Sequence, residues 1–194
     1  PRAVPVSWST YARPTASAGE TNLLVNGRLI RPAAPAVRLG TFPTRIAVHP
    51  GGLFAVVNEN GFGTIKDPAN HRDKEERMRI VDLRTMQVVQ EVPMQRRSMH
   101  LGLRFDAAGA FLYAAGGYDR TIQRYRFDGD GHVTFDRLWE LHDCYTTDVV
   151  LSLDETQAFT SCFIQKKVAR LDLATGAMTD IATAPEPYAL ALMP

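Results

Sequence analysis

The feature that most constrains this chain is a long-period repeat of paired apolar runs. Arg45 to Val48 is followed by a tight turn through Pro50-Gly51-Gly52 and a second run, Leu53 to Val57. The same grammar returns at His100 to Asp106, with a turn through Gly109 and then Phe111 to Ala115. It returns again at Asp148 to Asp154 followed by Ala158 to Cys162, and it starts a fourth time at Pro187 to Pro194. Between copies lies a second pair of runs: Arg79 to Thr85 with Gln87 to Val92, Ile122 to Phe127 with His132 to Phe135, and Val168 to Leu173 with Ala177 to Ile181. Apolar positions alternate or run in fours and fives, and β-branched and aromatic residues fill them, so each unit reads as four short strands and not as helix.

A unit of about 40–55 residues holding four strands has the length and content of a propeller blade. The expected fold class is therefore all-β, a β-propeller with about four blades' worth of four-stranded antiparallel sheets. Residues 1–21, rich in Pro and Ser, read as an N-terminal arm or linker, and 22–194 as a partial propeller. Within it, 22–43 supplies outer strands of a first blade, with an Asn26-Gly27 hairpin turn and a further strand at Val37 to Gly40. Blades are expected at 44–95, 96–142 and 143–184, and the first strand of a next blade at 185–194. A polar, charge-dense stretch, 61–77, reads as a loop inserted between strands. The early strands are outer and the last is inner, so joining the ends leaves a blade short of a strand. The expectation is a fragment, beginning at Pro1 without Met, whose partners are the remaining blades from the same or another chain.

Composition excludes several classes. With 45% hydrophobic and 22% charged residues among 194, the chain can bury a core and is not disordered as a whole. A formal charge of +1, from 22 basic and 21 acidic residues, argues against a nucleic-acid partner. The balance hides an asymmetry, with a basic first half and an acidic second half. No apolar run approaches the roughly 20 residues of a membrane-spanning helix, and no basic segment followed by an apolar one marks an export signal.

The strand and turn units, together with Ile80-Val81-Asp82-Leu83-Arg84-Thr85, Leu171-Asp172-Leu173-Ala174-Thr175-Gly176 and Ala114-Ala115-Gly116-Gly117-Tyr118-Asp119, resemble the YVTN-type β-propeller repeat proteins, the lactonase-like and surface-layer propellers. The Asn22 to Ile30 opening followed by Leu39 to Pro43 is similar to the propeller part of bacterial propeller-phosphoesterase proteins. The resemblance covers about residues 22–194 and implies a ring of about seven blades. The Pro-Asp-Gly turn of the family is replaced here by Pro50-Gly51-Gly52 and Asp106-Ala107-Ala108-Gly109, and the name-giving tetrapeptide is absent. Such scaffolds host both binding proteins and enzymes, so the resemblance speaks to fold more than to activity.

Aligning the units on Pro50, Phe105 and Leu153 places Arg45, His100, Asp148 and Ala189 at equivalent first positions of the inner strands. That offers a cation, an imidazole and a carboxylate at one radius, with His100 as a general base oriented by Asp148 if they meet. Neighbouring loops add Asn58, Asn60, Tyr118 and Asp119 as candidate ligand-binding residues, along with Glu59 and Arg120. For every one of these, the alternative role is to satisfy backbone groups, waters or turns. Cys144 and Cys162 are expected on one face, where they either form a disulfide or remain buried thiols. An exported protein permits the disulfide, so the expected location is periplasmic or extracellular, otherwise cytoplasmic. His142 beside Cys144 is a weak candidate for a catalytic dyad. Asp128-Gly129-Asp130-Gly131-His132 invites a calcium loop, but the twelfth position is Trp139 and not Glu, so a hairpin turn is expected. His71, Asp73, Glu75 and Glu76 lie among lysines and arginines and read as a solvated loop. No phosphate loop, dinucleotide fingerprint, nucleophile elbow or metal-protease motif occurs, so no cofactor and no metal are expected. Two functions remain: a noncatalytic scaffold presenting a channel-mouth face to a small ligand or protein, or a lactonase-like hydrolase of a sugar lactone or anionic ester using His100, Asp148 and Arg45.

Overall fold

A computed structural model describes residues 22–23, 29–30, 35–40, 42–60, 76–94 and 99–193. Alternating positions in some segments and continuous buried runs in others produce strands, and no helix occurs among the described residues. The N-terminal unit contains a short antiparallel pair, β1 (Asn22–Leu23) and β2 (Leu29–Ile30), in register Asn22↔Ile30 and Leu23↔Leu29. The expected strand at Val37 to Gly40 is absent. The Gly40 amide explains part of this, because it donates to the Glu59 carboxylate at 2.6 Å and not to a neighbouring strand.

From Leu39 onward the chain forms three four-stranded antiparallel sheets, each a simple up-and-down meander. The first holds β3 (Pro43–Val48), β4 (Phe54–Glu59), β5 (Arg77–Asp82) and β6 (Gln87–Pro93). The second holds β7 (Leu103–Phe105), β8 (Phe111–Ala115), β9 (Thr121–Phe127) and β10 (Val133–Glu140). The third holds β11 (Thr146–Leu151), β12 (Gln157–Cys162), β13 (Lys167–Asp172) and β14 (Met178–Ala182). These are called blades 1 to 3. Every residue of β4 and of β11 is buried, as expected of strands with protein on both faces, whereas the outer β14 is exposed along its length.

Two turn types recur and set the register. The first closes each β-strand 1–2 hairpin: the amides of Gly52, Gly109 and Glu155 donate to the carbonyls of His49, Asp106 and Ser152 at 2.8–3.1 Å. Each of those donors has positive φ, and blade 3 places Glu155 (φ 55) where the others use glycine. The second closes the outer hairpins, where the carboxylates of Asp82, Asp128 and Asp172 accept amides two to four residues on. The Arg84 guanidinium holds the Asp82 carboxyl down at about 2. The 128–132 segment is thus a hairpin turn, joining β9 to β10.

Facing sheets bury two apolar layers. Between blades 1 and 2 lie Val56, Met78, Ile80, Leu103, Leu112 and Tyr125, among others, and between blades 2 and 3 lie Tyr113, Ile122, Trp139, Val149, Leu171 and Leu173. On the side of the first turn type, His49 ties the blades together. Its Nδ1 accepts from Gly51 N at 3.0 Å, so its Nε2 carries the proton and donates to the Gly109 carbonyl at 3.1 Å, while the ring stacks on Phe127. Gly102 permits the close approach of blades 2 and 3, since a Cβ there would lie 2.7 Å from both Ala115 Cβ and Val149 N.

Residues 185–193, expected as a strand, carry no ladder. They are held by side chains instead: the Thr147 and Ser161 hydroxyls reach the Tyr188 carbonyl at 2.9 and 3.1 Å, and Leu190 N donates to Asp148 at 3.0 Å.

Candidate functional site

The turn hydrogen bonds align His49, Asp106 and Ser152, so the position equivalent to Arg45 and Asp148 is Gly102. His100 therefore sits two residues before the position that a sequence alignment on Phe105 assigns it. Arg45 is exposed on β3 and lines a cavity of about 480 Å³ with Arg104 and Leu151 of the other inner strands, Leu192 of the tail, and turn residues including Leu153 and Glu155. Neither His100 nor Asp148 lines that cavity. Asp148 is buried, and its two carboxylate oxygens accept from Val149 N at 2.9 Å and Leu190 N at 3.0 Å. It thus anchors backbone and does not orient His100. The structure does not assemble the three into one constellation.

What it does assemble lies on the face where β7 and β11 begin and β8 and β12 end. Five rings follow one another there: Tyr118, Tyr145, His100, Tyr188 and Phe163, with centroid separations of 4.9, 5.5, 5.8 and 5.7 Å. Successive rings meet nearly at right angles, between 73° and 88°, the edge-to-face arrangement that ring quadrupoles favour. Tyr118 is 79% exposed and Tyr188 48% exposed, so the row faces solvent. The three tyrosine hydroxyls make no hydrogen bond to the described residues.

Local chemistry explains how the row is held. Gly117, with φ 55, makes a backbone bridge to Thr146 and so brings the Tyr118 loop against the start of β11. Cys144 and Cys162 are joined in a disulfide, Cα atoms 4.6 Å apart, and each is followed by a member of the row, Tyr145 and Phe163. Phe163 N donates to the Tyr145 carbonyl at 3.1 Å, fastening the two just above the disulfide. Burial, with smaller contributions from Tyr118, Tyr188 and Glu76, pushes the Tyr145 phenol up to about 12, so it is a neutral donor and acceptor at physiological pH.

Two buried polar atoms beside the row lack protein partners: His100 Nδ1 and Asn58 Oδ1. Asn58 is fully buried, and its amide Nδ2 donates to the His100 carbonyl and, at 3.0 Å, to Asn60 Oδ1. Asn60 also accepts from Thr44 Oγ1 at 3.3 Å, so Asn58 and Asn60 knit blade 1 to the His100 segment. Asp119 lies in the turn between β8 and β9, its amide donating to the Gly116 carbonyl at 3.0 Å. Arg120 is committed to the His142 carbonyl at 3.1 Å, and Cys144 is in the disulfide, so no His142–Cys144 dyad exists. Of the acidic loop candidates, His71, Asp73 and Glu75 lie outside the described residues, and Glu76 accepts from Met99 N at 2.6 Å. No group of three or more His, Cys, Asp or Glu side chains among the described residues is placed to hold a metal.

Burial lowers the His100 imidazole below its usual 6.5, opposed by a hydrogen bond with the backbone at Thr147. Because the unfolded chain then takes up the proton first, His100 contributes stability that is full above about pH 6.5 and is lost as pH falls toward the lowered folded value. The urea midpoint is expected to drop between pH 7 and pH 5, and less so in His100→Phe; equal drops in both proteins would exclude this source.

Tyr145, Phe163 and Tyr188 escape a motif search, because aromatic residues at strand ends read as ordinary strand formers. Their signal was positional: two of them directly follow the cysteines.

Compared with family models the chain matches none, and it matches no curated protein. Solved structures do resemble it. A functionally unknown protein from Desulfotomaculum acetoxidans aligns with a TM-score of 0.63 at 13% identity, over 78% of this chain and 45% of that one. The β-propeller domain of Cps50 (Swd1) from Myceliophteria thermophila aligns at 0.56 and 14% identity, over 75% and 45%. The WD40 repeats of RRP9 align at 0.59 and 10% identity, over 77% and 41%. These likenesses, with the three meander sheets, make the fold a β-propeller. The chain spans less than half the length of the structures it matches.

Proposed function

We propose that this chain is a noncatalytic propeller segment that binds a small ligand or a protein side chain on the aromatic row of blades 2 and 3. The observation that carries this reading is the solvent-facing row of five rings, each nearly perpendicular to the next, with uncommitted tyrosine hydroxyls. Aromatic side chains supply large contact area at low entropic cost, which suits them to recognition. The lactonase-like alternative has less support, since the Asp148 carboxylate that would orient His100 is taken by two backbone amides.

In this reading the segment is of YVTN type, a family supported by the recurring positive-φ hairpin turn at 52, 109 and 155. Blades at 44–95, 96–142 and 143–184 belong to a ring of about seven, completed by blades of the same or another chain. Tyr188 and Leu190 support this by docking on Thr147, Ser161 and Asp148 as an inner strand of a next blade would. The disulfide supports an oxidising location, periplasmic or extracellular.

A ligand-observed NMR screen of small fragments tests the proposal. Binding is expected to be lost in Tyr118→Ala and kept in Arg45→Ala; the reverse pattern, or lactone turnover abolished by His100→Ala, would refute it.

A further inference from the structure

We infer that the aromatic row, if it is the binding face, takes an alkylammonium group bearing N–H, held on the ring faces of Tyr118, Tyr145 and Tyr188 beside the acceptors His100 Nδ1 and Asn58 Oδ1. This rests on the binding role proposed above and adds the chemical class of the ligand.

Three observations converge. Perpendicular rings 4.9–5.8 Å apart form adjoining walls, and the face of an aromatic ring attracts a cation. The two partnerless polar atoms next to this wall both call for a donor. Asn58 Oδ1 can only accept, and its orientation is fixed because its Nδ2 faces the carbonyl of His100 and the Oδ1 of Asn60. Burial disfavours the charged form of His100, whose Nδ1 is the second atom without a partner. Finally, the local charge suits a cation. Tyr118, Tyr188 and the Glu76 carboxylate act on the Tyr145 phenol. Among the described residues, Arg120 is engaged on the His142 carbonyl and Lys167 between Asp143 and Asp180.

An anion or an apolar ligand would satisfy neither acceptor. A neutral alcohol would satisfy them and forgo the attraction of the rings.

The test is titration of the full chain, by NMR, with butylammonium chloride, with 1-butanol, and with a blocked peptide containing one lysine or one acetyl-lysine. Butylammonium is expected to bind about tenfold more tightly than butanol, and Tyr118→Ala to remove most of that preference. Tighter binding of the lysine peptide than of butylammonium would identify a protein side chain as the source, and the reverse a free amine; either supports the inference. Equal binding of butanol and butylammonium at the row would overturn the cation while leaving the face intact. Absence of binding by every probe, with fragments of other charge also silent, would remove the face as well.

Discussion

Replacing both Cys144 and Cys162 with alanine is expected to lower the stability of the folded chain by about 3 kcal/mol, from closure of a loop of 18 residues. Small domains have only about 5–15 kcal/mol in hand, so this is a large share. Both sulfurs are buried in the layer between blades 2 and 3, so alanine leaves a small apolar void in addition to a freer unfolded chain. Urea denaturation with and without reductant measures the effect. The loss should be matched by weaker binding on the row, because Tyr145 and Phe163 are positioned by the residues just before them. A double variant as stable as the parent would show that the strands alone hold this corner.

Glu59→Ala is expected to cost a similar amount, about 3 kcal/mol, and for a different reason. Glu59 is fully buried and receives the Gly40 amide at 2.6 Å and the Arg79 guanidinium at 3.0 Å, with Arg77 at 4.0 Å. Removing it leaves a mostly buried guanidinium short of a partner and frees the Gly40 segment. Glu91 pairs with the same two arginines, at 2.9 and 3.1 Å, but is half exposed. Water screens that interaction, so Glu91→Ala should cost under about 1 kcal/mol. Chemical denaturation of the two variants side by side decides the matter. Equal losses would mean that burial of Glu59 confers nothing beyond its surface-like pairing.

The blades were readable because alternation and turn chemistry are local properties. Arg77 to Ile80 shows the period of two, and β5 and β13 each end in an aspartate, Asp82 and Asp172, that organises the turn. Two things were not readable. The register of blade 2 depends on the turn that starts at Asp106, and a sequence alignment on the apolar Phe105 shifts His100 onto the position that Gly102 holds. Gly102 gives no side-chain signal of its own, although its lack of a Cβ is what lets blades 2 and 3 meet. The aromatic row was hidden for another reason. Its members come from five separate segments, brought together by the bridge at Gly117, by the disulfide and by the docking of Tyr188. Only tertiary packing makes them neighbours. The candidate triad failed in the opposite way, since it was built from equivalent-looking positions, whereas the structure spends Asp148 on backbone amides.

The most direct test of the binding role is fluorine NMR of the chain labelled with 3-fluorotyrosine. Tyr113 and Tyr125 are buried in the layers between blades and serve as internal controls, while Tyr118, Tyr145 and Tyr188 report the row. On addition of a bound ligand, the resonances of Tyr118, Tyr145 and Tyr188 should move and those of Tyr113 and Tyr125 should stay. Binding that leaves the three row resonances unmoved would contradict the account.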